Sequence, residues 1–76
     1  MIFPEEIKRI RQRCFLTQEE FAKELKVTFS TVNRWEAGKA KPNLSTMKNI
    51  KEFCRMKDIK YSDVEEAWLN FCSYRK

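Results

Sequence analysis

The sequence contains no histidine, a single glycine, two prolines and three widely spaced cysteines. Without histidine, a metal-ligand cluster or a glycine-rich loop, it lacks the common arrangements for acid–base catalysis, metal binding and phosphate binding by a loop. We therefore expect no enzymatic activity, no cofactor and no metal site. The scarcity of glycine and proline favours a compact helical domain over a disordered chain.

The cysteines, Cys14, Cys54 and Cys72, are odd in number and form no CxxC pair, so we expect neither a disulfide framework nor a zinc site. They are predicted to be buried thiols of a protein in a reducing compartment. No apolar run approaches the ~18 residues that a membrane span needs, and the opening MIFPEE does not form a signal peptide. The sequence thus predicts a cytoplasmic protein without a membrane partner.

The chain is basic, with a net charge of +5 and a pI near 9.3. Residues 1–60 hold 14 Lys and Arg against 8 Asp and Glu, whereas residues 61–76 hold 2 against 3. A basic surface favours nucleic acid, an acidic partner or an anionic membrane as the binding partner. The last residues are expected to have a different role from the basic part.

The 76 residues are predicted to form one domain, 1–76, built from five short helices. Helix 1 begins at Pro4, and Thr17 and Glu20 form a capping box for helix 2. Helix 3 is capped by Thr28 and ends near Ala37, followed by Gly38. Asn43 or Ser45 caps helix 4, and a last helix begins at about Ser62. The predicted inward residues are Ile7, Ile10, Cys14, Phe21, Ala22, Leu25, Val32, Trp35, Leu44, Met47, Ile50 and Cys54, with Phe53 inside or at the margin.

The stretch LTQEEFAKELKVTFSTVNRWEAGKAKP closely resembles the lambda-repressor and Cro-like (XRE-type) family of DNA-binding domains. The shared spacing includes the TQEE start, the small Ala22, the WE-G ending and Pro42. This resemblance covers residues 5–54 and implies an all-α, compact bundle with a helix-turn-helix at helices 2 and 3. Residues 55–76 are then a C-terminal extension with the last helix. One departure is Lys26, which stands where the family usually has glycine.

The resemblance also implies roles for individual residues. A salt bridge is expected between Arg11 of helix 1 and Glu36 at the end of helix 3; the alternative is two solvated charges. The expected base-reading residues are Thr28, Phe29, Ser30, Asn33 and Arg34. The expected phosphate contacts are Thr17, Gln18, Lys39 and Lys41, with Arg9 and Arg13 as weaker candidates. For the lysines, the alternative is a solvated basic face.

Phe29 is ambiguous from helical spacing alone. It lies three residues before the inward Val32 and can share its face, or it can lie on the polar surface beside Ser30 and Asn33. The family register places it on the DNA side, where its ring can pack on a thymine methyl group.

The predicted function is sequence-specific binding of double-stranded DNA by a transcriptional regulator of repressor type, with helix 3 in the major groove. A homodimer on a palindromic operator would follow the family pattern. The alternative is an antitoxin-like or other protein-interaction module that binds a protein through its C-terminal helix. Trp68, Phe71 and Tyr74 form either part of the core or that interaction surface.

Overall fold

Residues 2–71, which the computed structural model describes, form five α-helices and contain no strand. The all-α, five-helix prediction is confirmed over this part of the chain. The helices are α1 (Phe3–Arg13), α2 (Gln18–Leu25), α3 (Phe29–Glu36), α4 (Leu44–Met56) and α5 (Ser62–Leu69). Between residues 2 and 71, no helix is both long and apolar enough to cross a membrane.

Side-chain caps fix the beginnings of three helices. The Thr17 hydroxyl accepts from the Glu20 amide at 3.1 Å, and the Glu20 carboxylate accepts from the Thr17 amide at 2.9 Å. The predicted capping box of α2 is therefore confirmed. Thr28 caps α3, and Asn43, rather than Ser45, caps α4, each accepting from the amide three residues further on. Each cap satisfies an amide that the first turn of a helix leaves without a partner.

A left-handed residue follows the last turn of each of the first four helices. Its amide donates to the carbonyl three residues back, and the next amide donates to the carbonyl five residues back. This is the Schellman arrangement, in which glycine is the usual left-handed residue. The four residues, with their φ angles, are Phe15 (57°), Lys26 (61°), Gly38 (77°) and Asp58 (58°). Only Gly38 takes this conformation without a steric cost from its side chain.

Apolar side chains from all five helices form the core. Ala22 is buried where α2 packs on α3, and its small side chain permits close approach of the two helices. Phe21 and Phe53 meet edge to face, with ring centroids 5.5 Å apart. Phe53 therefore extends the inner stripe of α4. The predicted inward positions of α2 and α3 are confirmed; they are Phe21, Ala22, Leu25, Val32 and Trp35.

The predicted inner stripe of α4 is wrong at Leu44, which is 63% exposed. Leu44 lies in the first turn of the helix and lines an open groove between α4 and α5, together with Met47, Trp68 and Leu69. The spacing of apolar residues correctly predicted which side of α4 faces the core. It could not show that the neighbouring helix α5 leaves the first turn of that side uncovered.

Helix α5 packs against α1 and contributes to the core. Val64 and Ala67 are buried, and Phe71 lies 6.1 Å from the ring of Phe3. The Trp68 indole is half-buried and donates to the carbonyl of Pro42 at 2.7 Å. Of the residues left open between core and interaction surface, Trp68 and Phe71 are partly buried against the core. Leu69 remains 65% exposed. Tyr74 lies outside the described residues.

Both cysteines in the described residues are free thiols. Cys54 is fully buried, and burial raises its pKa to about 11. Cys14 is only half-buried, so it fits the predicted buried class less well. Cys72 lies outside the described residues.

We expect Lys26→Gly to raise the free energy of unfolding by roughly 0.5–1 kcal/mol. Glycine removes a left-handed penalty of roughly 1–2 kcal/mol, and part of this gain is lost to the greater chain entropy of glycine. Urea unfolding measures the change. As a matched control, Lys23→Gly lies inside α2 and should instead destabilise the protein by roughly 0.5–1 kcal/mol. A destabilised Lys26→Gly protein would contradict the strain argument.

Candidate nucleic-acid interface

Helices α2 and α3, joined by residues 26–28, pack on each other as a helix-turn-helix. Val32 and Trp35 are buried on the inner face of α3. The opposite face carries Phe29, Ser30, Asn33 and Arg34, all of which are exposed. Phe29 is 52% exposed, so it belongs to the outer face rather than the core.

A bidentate ion pair anchors the end of α3 to α1. Arg11 Nε lies 2.7 Å from Glu36 Oε2, and Arg11 Nη2 lies 3.0 Å from Glu36 Oε1. The side chains are only 13% and 6% exposed, so the charges are partly withdrawn from water. The hydrogen bond with Glu36 is the main cause of the raised pKa of Arg11. Arg11 Nη1 also donates to the carbonyl of Leu16 at 2.9 Å, which ties in the connection between α1 and α2.

Gln18 links this ion pair to the outer face. Its Nε2 donates to Glu36 Oε1 at 2.9 Å, and its Oε1 accepts from Asn33 Nδ2 at 3.2 Å. The structure therefore brings together Gln18, expected at a phosphate, and Asn33, expected at a base. Both ends of the Gln18 amide have partners within the protein.

The threonines expected at the interface have structural roles at the helix starts. Thr17 Oγ1 accepts from the Glu20 amide in the capping box of α2. Thr28 Oγ1 accepts from the Thr31 amide at 3.2 Å and lies 2.8 Å from the Thr31 hydroxyl. Both residues are exposed, although their hydroxyl groups already serve the helices that they begin.

The basic residues expected at phosphates differ in their surroundings. Lys39 is exposed just after α3. Lys41 Nζ lies 4.6 Å from the Trp68 ring centroid and donates to the Trp68 carbonyl at 3.3 Å. Such cation–π contacts are favourable when the ammonium lies within about 6 Å of the ring. Lys41 is thus held against α5, whereas no described residue forms an ion pair with Lys39.

Arg9, a weaker phosphate candidate, joins α1 to α5. It lies 2.6 Å from the buried carboxylate of Glu6 and 3.4 Å from Asp63. The hydrogen bond to Glu6 is the main cause of the raised pKa of Arg9. Arg13 is exposed at the end of α1. The burial of Glu6 was not predicted from the sequence.

Phe15 is the exposed aromatic that sequence reasoning missed. It is 93% exposed and has a φ of 57° in the connection between α1 and α2. The sequence signal for this conformation is the absence of Gly and Asn between the two helices. A left-handed residue in this connection must then be of another type.

This geometry defines the class: a helix-turn-helix domain whose second helix carries an exposed polar face. The chain belongs to the helix-turn-helix family, whose model matches residues 7–61. It is also 38% identical over 53 residues to the HTH-type transcriptional activator BcrR of Enterococcus faecalis. That alignment covers 70% of this chain and 26% of the relative, so the chain spans about a quarter of the relative's length.

No solved structure gives a significant match to the chain. The family match confirms the resemblance found in the sequence.

We expect Glu36→Gln to lower the free energy of unfolding by about 3 kcal/mol, because the partly buried Arg11 would lose its counter-ion. Urea unfolding at neutral pH measures the loss. Glu52→Gln is the matched control, since it removes one partner of the exposed Glu52–Arg55 pair. Its unfolding midpoint should stay nearly unchanged. Equal small losses in both variants would show that the Arg11–Glu36 pair does not hold α3 in place.

Proposed function

We propose that this domain binds double-stranded DNA at specific sequences and regulates transcription, with α3 in the major groove. The observation that carries the proposal is the exposed polar face of α3, held in a fixed orientation by the Arg11–Glu36 pair. In helix-turn-helix proteins, the second helix meets base edges with its N-terminal residues. The net charge of +5 favours attraction to phosphates.

The exposed face of α3 offers several kinds of base contact. Arg34 forms no ion pair with a described residue, and its guanidinium can bond O6 and N7 of guanine. Asn33 can bond adenine, whereas the hydroxyl of Ser30 discriminates weakly. Phe29 has no polar group and suits a thymine methyl group. Thr28 contributes at the edge of this surface, since its hydroxyl also caps the helix.

Phosphate contacts are proposed on both sides of α3. In the first turn of α2, the amides of Gln18 and Glu19 have no hydrogen-bond partner within residues 2–71. Such free amides at a helix start attract anions. Lys39 is exposed beyond α3 and suits the adjoining strand. Lys41 would exchange the Trp68 carbonyl for a phosphate oxygen.

We infer repression from the family resemblance, whereas the relative is named a transcriptional activator. A dimer on a palindromic site would place two copies of α3 about 34 Å apart. The groove between α4 and α5 supports a contact with a second copy. It exposes Leu44 and Leu69, and it has both Lys51 and Glu65 on its walls. Another protein in the same groove is the second candidate, as in an antitoxin-like module.

Selection from a random double-stranded DNA library, followed by fluorescence anisotropy at several salt concentrations, tests the proposal. We expect an enriched sequence and an affinity that falls steeply as salt rises, because bound phosphates release counterions. The absence of both would refute it. Light scattering with the selected DNA distinguishes one bound copy from two, and a reporter gene carrying the site gives the direction of regulation.

We expect Phe29→Ala to weaken binding to the selected site while leaving the melting temperature nearly unchanged, because its ring is half-exposed. Anisotropy and thermal unfolding measure the two effects. Phe21→Ala is the matched control. Its ring is fully buried, so its removal should destabilise the protein by about 3–5 kcal/mol. A comparable loss of stability for Phe29→Ala would assign Phe29 to the core.

A further inference from the structure

Phe15 combines two unfavourable features in one residue. Its side chain is 93% exposed, and its φ of 57° lies in the left-handed region, where a bulky side chain is strained. Within residues 2–71, its ring forms no contact with another aromatic ring or with a cation. The ring therefore adds no such contact to the fold, and backbone strain of this kind clusters at functional sites.

The other left-handed residues that carry side chains do not share this combination. Lys26 and Asp58 have φ angles of 61° and 58°, but their side chains are charged and suit the exposed positions that they occupy. In the described part of the chain, backbone strain and an exposed apolar ring occur together only at Phe15.

The backbone that carries the ring is held on both sides. The Phe15 amide donates to the Gln12 carbonyl at 3.0 Å, and the Leu16 amide donates to the Arg11 carbonyl at 3.2 Å. The Leu16 carbonyl in turn accepts from Arg11 Nη1 at 2.9 Å, and the Leu16 side chain packs against the core. The ring is thus presented from a fixed backbone before any ligand binds, which lowers the entropy cost of a contact.

Phe15 lies beside the proposed phosphate site at the start of α2. Two Cα–Cα steps separate it from Thr17, so their Cα atoms are at most about 7.6 Å apart. The amides of Gln18 and Glu19, which lack a hydrogen-bond partner among the described residues, follow directly. On the other side, Arg13 is exposed and forms no ion pair with a described residue. A phosphate bound here brings its deoxyribose within reach of the Phe15 ring.

The surroundings of Phe15 favour DNA over a protein partner. Standard protein interfaces bury about 800 Å² on each side, around an apolar centre that is depleted of charge. Phe15 is a single ring among exposed polar and basic residues, namely Gln12, Arg13 and Thr17. Basic surroundings match a phosphate backbone instead.

We propose that the Phe15 ring packs on the deoxyribose next to the phosphate bound at the start of α2. Deoxyribose lacks the 2′-hydroxyl of RNA. It therefore offers C–H groups that an aromatic ring can cover, and water leaves both surfaces. The inference rests on the proposed DNA binding and goes beyond it, because it adds an apolar contact that reads no sequence to a backbone otherwise bound by charge.

The test measures DNA affinity and stability for substitutions at this position. Phe15→Ala removes the ring and should weaken binding to the selected site by roughly 3- to 10-fold, the effect of leaving one ring partly uncovered. Phe15→Gly should weaken binding equally, yet raise the melting temperature by roughly 2–8 °C, because it also removes the left-handed strain. Phe15→Tyr keeps the ring and should bind like the wild type. Met56→Ala is the matched control: it removes another exposed apolar side chain, in the last turn of α4, and should leave the affinity unchanged.

Two further readouts identify the group that the ring contacts. The loss of affinity in Phe15→Ala should be equal for all DNA sequences, and the slope of affinity against salt should stay unchanged, because the ring is uncharged. In the complex, NMR should show close contacts between the Phe15 ring protons and deoxyribose protons. Thermal unfolding verifies that each variant is folded at the temperature used.

Equal affinities of the wild type and Phe15→Ala for the selected site would overturn the inference and leave the proposed function standing. A changed base preference in Phe15→Ala would also overturn it, since the ring would then contact a base. Ring protons that are close only to protons of another protein chain would overturn it as well. If the wild-type protein binds no DNA, the proposed function fails and the inference fails with it.

Discussion

The ion pair between Arg11 and Glu36 fixes how α3 lies on the rest of the helix-turn-helix. Three segments meet at it: α1 supplies the guanidinium, α3 supplies the carboxylate, and the connection before α2 supplies the Leu16 carbonyl. Separating the pair would leave an unpaired, partly buried charge, which costs free energy of folding. The three segments are therefore held together. The orientation of the exposed face of α3 follows from this constraint, together with the burial of Val32 and Trp35.

Most helix boundaries could be predicted because they are set locally. The box formed by Thr17 and Glu20 and the cap at Thr28 each depend on residues within one turn of each other. Burial depends on what covers a face, and that is not local. Periodicity therefore identified the side of α4 that carries Met47 and Ile50, but it could not show that Leu44 is left in an open groove.

In the candidate interface, too, some features could be predicted from the sequence and others could not. Exposure of Phe29, Ser30, Asn33 and Arg34 followed from the family register and the inward Val32 and Trp35. The partners of polar groups did not follow, because they depend on side-chain orientations across two helices. The hydrogen bonds from Asn33 to Gln18 and from Lys41 to the Trp68 carbonyl are of this kind. They show which candidate residues are held by the protein and which are free to meet a ligand.

The left-handed helix ends have an evolutionary consequence. Three of the four are occupied by residues with side chains, so they carry a steric cost at positions that lie outside α3. A substitution at one of them can add stability without altering the recognition face. Most substitutions destabilise, and natural proteins lie only slightly above the stability that they need. Substitutions at these helix ends can therefore supply stability that compensates for destabilising changes in α3 as its DNA sequence preference diverges.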